Sequence, residues 1–170
     1  MMICIDNMLS AFKLSQDNAV KVTMMADDFS KAIEALIPKS LDDVIRRNRH
    51  AAELRLTSEE EIMDLHCQIT PGIPKDVMEN WCLITLYISE PQIAQVMLLG
   101  EVNETTIDRL TSVVLKIDLD RNLLITLSGS LYQLGTKHQG EPEMYQLMTV
   151  CAVFHHWGLG KYLGVPHFFY

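Results

Sequence analysis

The sequence predicts an all-α protein, a single-domain bundle of about seven or eight helices. Apolar residues recur at helical spacing, capping residues precede several of these segments, and glycine or proline ends them. A chain of 170 residues can bury a core without help from a disulfide or a metal. We predict one domain over residues 1–170. The "TPGIP" stretch (70–74) is compatible with a sub-division into polar N-terminal helices (1–70) and apolar C-terminal helices (75–170).

The first helices are predicted from their caps and stop signals. In "DDFSKAIEALIPKS" the apolar side chains fall on one helical face: Phe29, Ile33, Leu36 and Ile37. Pro38 ends this helix. Ser40 can cap a second helix that begins "SLDD". Thr57 or Ser58 can cap a third that begins "TSEEEIMDL", where acids in the first turn suit the helix dipole.

The C-terminal half repeats the helical spacing. A set spaced by four, three and four predicts one helix: Val77, Trp81, Ile84 and Ile88. A helix capped by Asn103 has a second set: Ile107, Leu110, Val114 and Ile117. A helix after Asp120 has a third set: Leu124, Leu127, Leu131 and Leu134. The last helix has Pro142 near its start and Gly158 at its end.

An α+β fold with a β-hairpin near residues 112–131 is the alternative. "LKIDL" (115–119) alternates strictly, "LLITLSG" (123–129) is rich in strand formers, and Asp120–Arg121–Asn122 can form the turn. "VKVTM" (20–24) also alternates. The spacing of apolar residues leaves both interpretations open.

The charge distribution favours a protein partner over a nucleic acid. The net charge is −8 and the pI about 5.1, so the protein would repel phosphate backbones and attract a basic partner. Residues 122–170 contain only four charged side chains: Lys137, Glu141, Glu143 and Lys161. We expect this charge-poor segment to be core or interface.

Cysteine usage and the amino terminus indicate a cytoplasmic protein. Cys4, Cys67, Cys82 and Cys151 form no C-x-x-C pair and have apolar neighbours, which is typical of reduced, buried thiols. The first residues lack the basic region of a signal peptide. No uncharged run offers the roughly 20 clean apolar residues of a membrane span, so we expect none.

Metal, phosphate and nucleophile motifs are incomplete. "GLGKYLG" (158–164) lacks the spacing of a phosphate loop. His155 and His156 would project about 100° apart on a helix, which disfavours joint chelation. A site dispersed over distant residues stays open: His66, Cys67, His155 and His167. Ser128 does not lie in a nucleophile elbow, and Cys67 or Cys151 would need activation as a thiolate. We therefore predict no catalytic residue, no metal and no cofactor.

Two segments raise the alternative of DNA binding. The chain has one basic cluster: Arg46, Arg47, Arg49, His50 and Arg55. Acids flank this cluster, which indicates a solvated face with local ion pairs. "IAQVMLLGEVNETTIDRLTSV" (93–113) has the rhythm of a helix-turn-helix, but Glu101, Glu104 and Asp108 would repel phosphates.

The end of the chain holds the candidate partner-binding residues. Residues 154–170 contain half of the aromatic side chains, and aromatic residues are favoured at interface hot spots. The candidates are Trp157, Tyr162, Phe168, Phe169 and Tyr170.

We predict a non-enzymatic interaction module, such as an adaptor, assembly factor, chaperone-like protein or inhibitor. It would use an apolar patch with acidic surroundings to bind another, basic protein, and a homodimer is compatible with the sequence. An enzyme with a dispersed active site and a helix-turn-helix-like DNA-binding regulator are the alternatives.

Overall fold

The computed structural model describes residues 28, 30–31 and 33–167. These fall into two compact units, one ending at Ile37 and one beginning at Pro38. Several sequence predictions lie outside the described residues: Cys4, the segment 20–24, Phe29 and the last three aromatic residues.

The described part of the first unit is helical, as predicted. Asp28, Lys31 and Glu34 have helical conformation, and the Ala35 N–H donates to the Lys31 carbonyl at 3.0 Å. This helix ends before Pro38, whose ring is incompatible with a helix interior.

Residues 38–167 form six strands and four helices. In chain order these are α1 (Leu41–Val44), β1 (Ala52–Leu56), α2 (Glu59–Leu65), β2 (Asp76–Ile88), β3 (Ile93–Val102), β4 (Ile107–Asp118), β5 (Leu123–Thr126), β6 (Leu131–Leu134), α3 (Met144–His156) and α4 (Gly160–Leu163).

The prediction of an all-α helical bundle is therefore wrong. The protein is predominantly β, and the three helices predicted between Val77 and Leu134 are strands β2 to β6 with their turns. The alternative hairpin near residues 112–131 is present as β4 and β5. Its turn includes Asn122 at a positive φ of 54°, a conformation that asparagine tolerates better than most residues.

The sheet closes on itself through its longest strand. Consecutive strands pair antiparallel in the order β1 to β6, and β6 returns to pair parallel with the first residues of β2. Strands β2 to β6 thus form a closed ring of five strands. The second half of β2 extends beyond this closure and pairs with β1, with Leu54 opposite Leu86.

Two apolar cores lie on the two faces of this sheet. Side chains that include Trp81, Leu83 and Leu98 fill the interior of the ring. Alternate side chains of the same strands, such as Ile84 and Met97, point outwards and pack with α1, α3 and α4. Because β2 and β3 are buried on both faces, their sequences are nearly continuous apolar runs. Such runs fit a buried helix as well as a strand.

Bulges explain why the apolar spacing resembled that of a helix. The β4–β5 register shifts between Val114 and Lys116, so the extra residue places Val114 and Ile117 in the same interior core. A strand with such a bulge shows the three-residue spacing of a helix. The apolar spacing alone therefore does not distinguish this bulged strand from a helix.

Gly100 is required by a second bulge, in β2. The β2–β3 register shifts between Glu79 and Cys82, and Asn80 within it has a positive φ of 48°. A Cβ on Gly100 would lie 3.0 Å from the Glu79 carbonyl oxygen and 3.0 Å from the Trp81 Cβ. The bulged strand approaches β3 so closely that only glycine fits without a shift.

Within residues 38–167, three helices predicted from capping and stop signals are confirmed, whereas Asn103 and Asp120 cap no helix and lie in the turns after β3 and β4. Ser40 caps α1, although that helix has only four residues. Ser58 and Glu61 form a capping box at the start of α2. The last predicted helix is α3, which follows Pro142 and ends before Gly158.

Candidate functional site: an acidic cleft beside α3

A cleft of about 480 Å³ lies between the first half of α3 and the adjoining ends of β2, β3 and β4. Three carboxylates line it, on Glu101, Asp108 and Glu143. Tyr145 and Met148 contribute apolar surface on the helix side. The cleft therefore combines negative charge with an uncharged helix face.

Strand register and helix position bring the three carboxylates together. Glu101 near the end of β3 is the direct antiparallel partner of Asp108 near the start of β4. Like charges at such directly opposed positions destabilise a sheet. Glu143 immediately precedes α3 and lines the same cleft. Residues far apart in sequence thus form one negatively charged wall.

Asp108 carries the electrostatic cost of this arrangement. Partial burial raises the pKa of its carboxyl, and the negative charges of Glu101 and Glu143 raise it further. Arg109, the neighbouring cation in sequence, is paired with Asp76. Ionisation of Asp108 is thus less favourable in the folded protein than for a solvated carboxyl.

Hydrogen bonds fix the floor of the cleft. The buried Gln146 side chain donates from Nε2 to the Asn80 carbonyl at 3.0 Å and accepts from the Glu143 N–H at 3.1 Å. The Asn80 Oδ1 lies 2.9 Å from the His138 Nδ1. These contacts join the β2 bulge to the start of α3.

The outward face of α3 is free of formal charge. The 13 residues of this helix include no Asp, Glu, Lys or Arg. Tyr145, Met148 and Ala152 line the cleft at spacings of three and four, which places them on one helical face. Tyr145 is 68% exposed and Met144 is 43% exposed. This face offers apolar contact area next to the acids.

The two predicted tail residues that the structure describes, Trp157 and Tyr162, do not line the cleft. Trp157 is 40% exposed just after α3, where its ring packs 6.2 Å from that of Phe154, and Tyr162 is 54% exposed within α4. After Tyr162 the chain packs back on the protein, because Leu163 and Val165 are buried in the outer core. The Asn48 amide donates to the Tyr162 carbonyl. Trp157 and Tyr162 are thus held on the surface by an anchored segment.

The dispersed metal set does not assemble. The rings of His155 and His167 lie 4.7 Å apart, whereas His66 lies beside Leu119 and Asp120 at the end of β4. Within residues 33–167 and the few described before them, no group of three or more His, Cys, Asp or Glu could hold a metal ion.

The buried cysteines are poor nucleophiles. Burial raises the pKa of the Cys82 thiol to about 12 and that of the Cys151 thiol to about 12. At neutral pH both are thiols rather than thiolates, and only a thiolate attacks readily. Cys151 is therefore unsuited to the nucleophilic role considered from the sequence.

Three of the five residues in the basic cluster form ion pairs: Arg46, Arg49 and Arg55. Arg49 pairs with Asp42 at 2.5 Å, and Arg55 pairs with Glu61 at 2.6 Å. The segment with a helix-turn-helix rhythm is the β3–β4 hairpin. The helix-turn-helix interpretation is wrong, because neither half of that segment is a helix.

Sequence reasoning missed the cleft. Glu101 and Asp108 were noted only as acids that repel phosphate. Their symmetric placement on either side of "VNETTI" (102–107) would have been a signal had that segment been recognised as a hairpin turn. The contribution of Glu143 depends on how α3 packs on the sheet, which no local pattern reveals.

No family model, curated protein or solved structure matches the chain. Of the helices in the described part of the chain, none has the length and apolar character needed to cross a membrane.

Proposed function

We propose that this protein is an interaction module that binds a basic segment of another protein in the acidic cleft and along the uncharged face of α3. The observation that carries the proposal is the meeting of three carboxylates with a helix face formed by the exposed Tyr145 and the half-buried Met148 and Ala152. It supports the expectation of an apolar patch with acidic surroundings, at a place other than the aromatic tail to which the sequence pointed.

Electrostatics favours a cationic occupant. Burial raises the pKa of Asp108, and the negative charges of Glu101 and Glu143 raise it further, so the ionised Asp108 costs folding free energy. A lysine or arginine placed among them would relieve that cost. A second copy of this chain would bring the same three acids and a net charge of −8, so this surface disfavours self-association.

Tyr145 suits the same occupant. Its exposed ring lies at the rim of the acidic cleft, where a guanidinium can stack on the ring while its N–H groups donate to carboxylates. The fitting ligand is therefore an arginine- or lysine-rich segment with apolar residues between the charges.

A labelled peptide can test this proposal. We expect an eight-residue peptide of alternating arginine and leucine to bind, and a glutamate–leucine peptide of equal length not to bind, by fluorescence anisotropy. Asp108→Asn and Glu101→Gln should each weaken binding about three- to tenfold, as expected for loss of a close charge contact.

Glu60→Gln is the matched control, because it removes one negative charge from the exposed first turn of α2. If Glu60→Gln weakens peptide binding equally, the peptide is attracted only by the overall negative charge. That result would contradict a specific binding site in the cleft.

The aromatic tail remains a second proposed partner surface, comprising Trp157, Tyr162, Phe168, Phe169 and Tyr170. The exposure of Trp157 and Tyr162 supports this assignment. A truncation after Gly158 would also remove the buried Leu163 and Val165, so point substitutions are the better test. Trp157→Ala and Tyr162→Ala should weaken capture of the partner without lowering the melting temperature by more than a few degrees.

One observation favours an enzyme as the second candidate. A carboxyl of raised pKa beside carboxylates in a cleft is the arrangement of many acid–base pairs. Asp108 would be the acid and Glu101 or Glu143 the base. Turnover of chromogenic glycosides or esters that is abolished by Asp108→Asn would support this candidate, and absence of turnover across such a panel would weigh against it.

The buried cysteines support a cytoplasmic location. Cys82 and Cys151 are free and buried, which suits a reducing compartment. Detection of the native protein in the cytosolic fraction of its cell would test this assignment.

A further inference from the structure

The segment between β6 and α3 is held at Glu141 by two contacts. The Glu141 carboxylate accepts the Leu41 N–H, with Oε2 at 3.1 Å, at the first residue of α1. The Glu141 carbonyl oxygen lies 2.8 Å from the His138 Nε2. One residue thus touches both the start of α1 and the histidine that contacts Asn80 in the cleft floor.

Pro142 connects Glu141 to the cleft-lining residue Glu143. It is buried and separates Glu141 from Glu143, the residue that lines the cleft. A proline ring fixes φ and leaves few ways for the backbone to turn between its neighbours. The placement of Glu143 therefore depends on where Glu141 is held.

The two helices joined by Glu141 also share a core. Leu41 of α1 is buried in the same outer core as Leu147 and Val150 of α3. A hydrogen bond at the helix starts and apolar contacts behind them hold α1 and α3 in one arrangement. Loss of the hydrogen bond alone would leave that core in place.

We propose that Glu141 is a positioning residue that couples the start of α1 to the acidic cleft. It holds Glu143 and the first turn of α3 in the arrangement that binds a basic segment. A change at Leu41 reaches the cleft through Glu141 and Pro142. This inference rests on the proposed function for its consequence in binding, but the mechanical coupling can be measured without a ligand.

The test compares Glu141→Ala with Glu141→Gln in the full chain. Glutamine keeps an acceptor oxygen for the Leu41 N–H and removes the charge, whereas alanine removes both. In Glu141→Ala we expect exchange of the Leu41 amide hydrogen to accelerate about three- to tenfold, as for loss of one hydrogen bond. The side-chain amide resonances of Gln146 should shift, and the arginine–leucine peptide should bind about fivefold more weakly. Glu141→Gln should stay within about twofold of wild type in exchange and binding.

Unchanged Leu41 exchange and Gln146 resonances in Glu141→Ala would overturn the coupling. Equal weakening of peptide binding by both variants would also overturn it, because the effect would then be one of charge. If wild type binds no peptide but Glu141→Ala still shifts Gln146, the coupling stands and the proposed function fails.

Discussion

Two groups of carboxylates in this molecule are in opposite electrostatic situations. At the start of α2, Glu61 accepts two hydrogen bonds from the Arg55 guanidinium, at 2.6 and 2.9 Å, and one from the Ser58 N–H at 2.9 Å. The bond to Arg55 is the main reason that the pKa of Glu61 falls to about 2. In the cleft, burial and then Glu101 and Glu143 raise the pKa of Asp108.

The difference separates acidic residues that stabilise the fold from acidic residues that destabilise it. Side chains and backbone of the same chain satisfy the Glu61 carboxylate. It has a cationic partner in Arg55, a helix-cap contact with Ser58, and the Thr85 hydroxyl at 3.3 Å. The shifts of Asp108 come from burial and like charge. A group that costs stability is expected to gain in a bound state, and this contrast supports the proposal that the cleft binds a cationic ligand.

The largest expected effect is the loss of Glu61. Glu61→Ala should lower the free energy of unfolding by about 2 kcal/mol, because it removes a bidentate ion pair and a helix cap together. Urea denaturation monitored by circular dichroism measures this change. Glu60→Ala, one residue earlier and exposed, should cost less than about 0.5 kcal/mol. Similar decreases in the free energy of unfolding for both variants would show that the Glu61 contacts do not stabilise the fold.

The same contrast predicts opposite responses to pH. Glu61 has a folded pKa of about 2 against an ordinary value of 4.5. Its stabilisation is therefore present above pH 4.5 and disappears as pH falls towards 2. The stability deficit of Glu61→Gln at pH 7 should shrink through that window, as followed by melting temperature. A deficit that stays constant down to pH 2.5 would mean that the charge of Glu61 is not what stabilises the protein.

Asp108 should behave in the reverse sense. Asp108→Asn should raise the free energy of unfolding at pH 7 by about 0.5 kcal/mol, because it removes a like-charge contact on adjacent strands. Since the folded pKa of Asp108 is raised, its penalty vanishes as pH falls to the ordinary value of 3.8. Wild type and variant should therefore converge near pH 4. Destabilisation by this substitution at pH 7 would show that Asp108 supports the fold and would remove the contrast.

The smallest expected effect is that of salt. At 1 M NaCl the Debye length falls to about 3 Å, so the advantage of Asp108→Asn should shrink to about 0.2 kcal/mol or less. The Glu61→Ala loss should change little, because its hydrogen bonds are short and partly buried. Equal salt sensitivity in both variants would show that the two groups do not differ in kind.

Local signals predicted only part of this structure. The caps at Ser40 and Ser58 and the stop at Gly158 are contacts between near neighbours in sequence, so their residues suffice to identify α1, α2 and α3. Strands β2 and β3 were missed because both faces are buried, which removes the alternation that marks a strand. Strand β4 is predicted only in the alternative hairpin interpretation, because a bulge lets Val114 and Ile117 share a core at helical spacing.

The cleft was less predictable than the helices. It requires the register that opposes Glu101 to Asp108, the packing of α3 on the sheet, and the bulge at Asn80. Each depends on contacts between residues far apart in the chain. Composition predicted an apolar patch with acidic surroundings and assigned it to the aromatic tail, so it did not point to the residues of the cleft.

The closure of the ring through β2 has a consequence for the order of folding. Strand β2 is made early, yet the partner of Asp76 is Tyr132 in β6. During synthesis, β1 to β4 can pair while the first residues of β2 still lack their partner strand β6. Until β6 is made, the apolar side chains inside the ring stay exposed to solvent. Such late, non-local pairing slows folding and lengthens exposure to aggregation. The nascent chain therefore reaches its protected form only after the residues that precede α3 have left the ribosome.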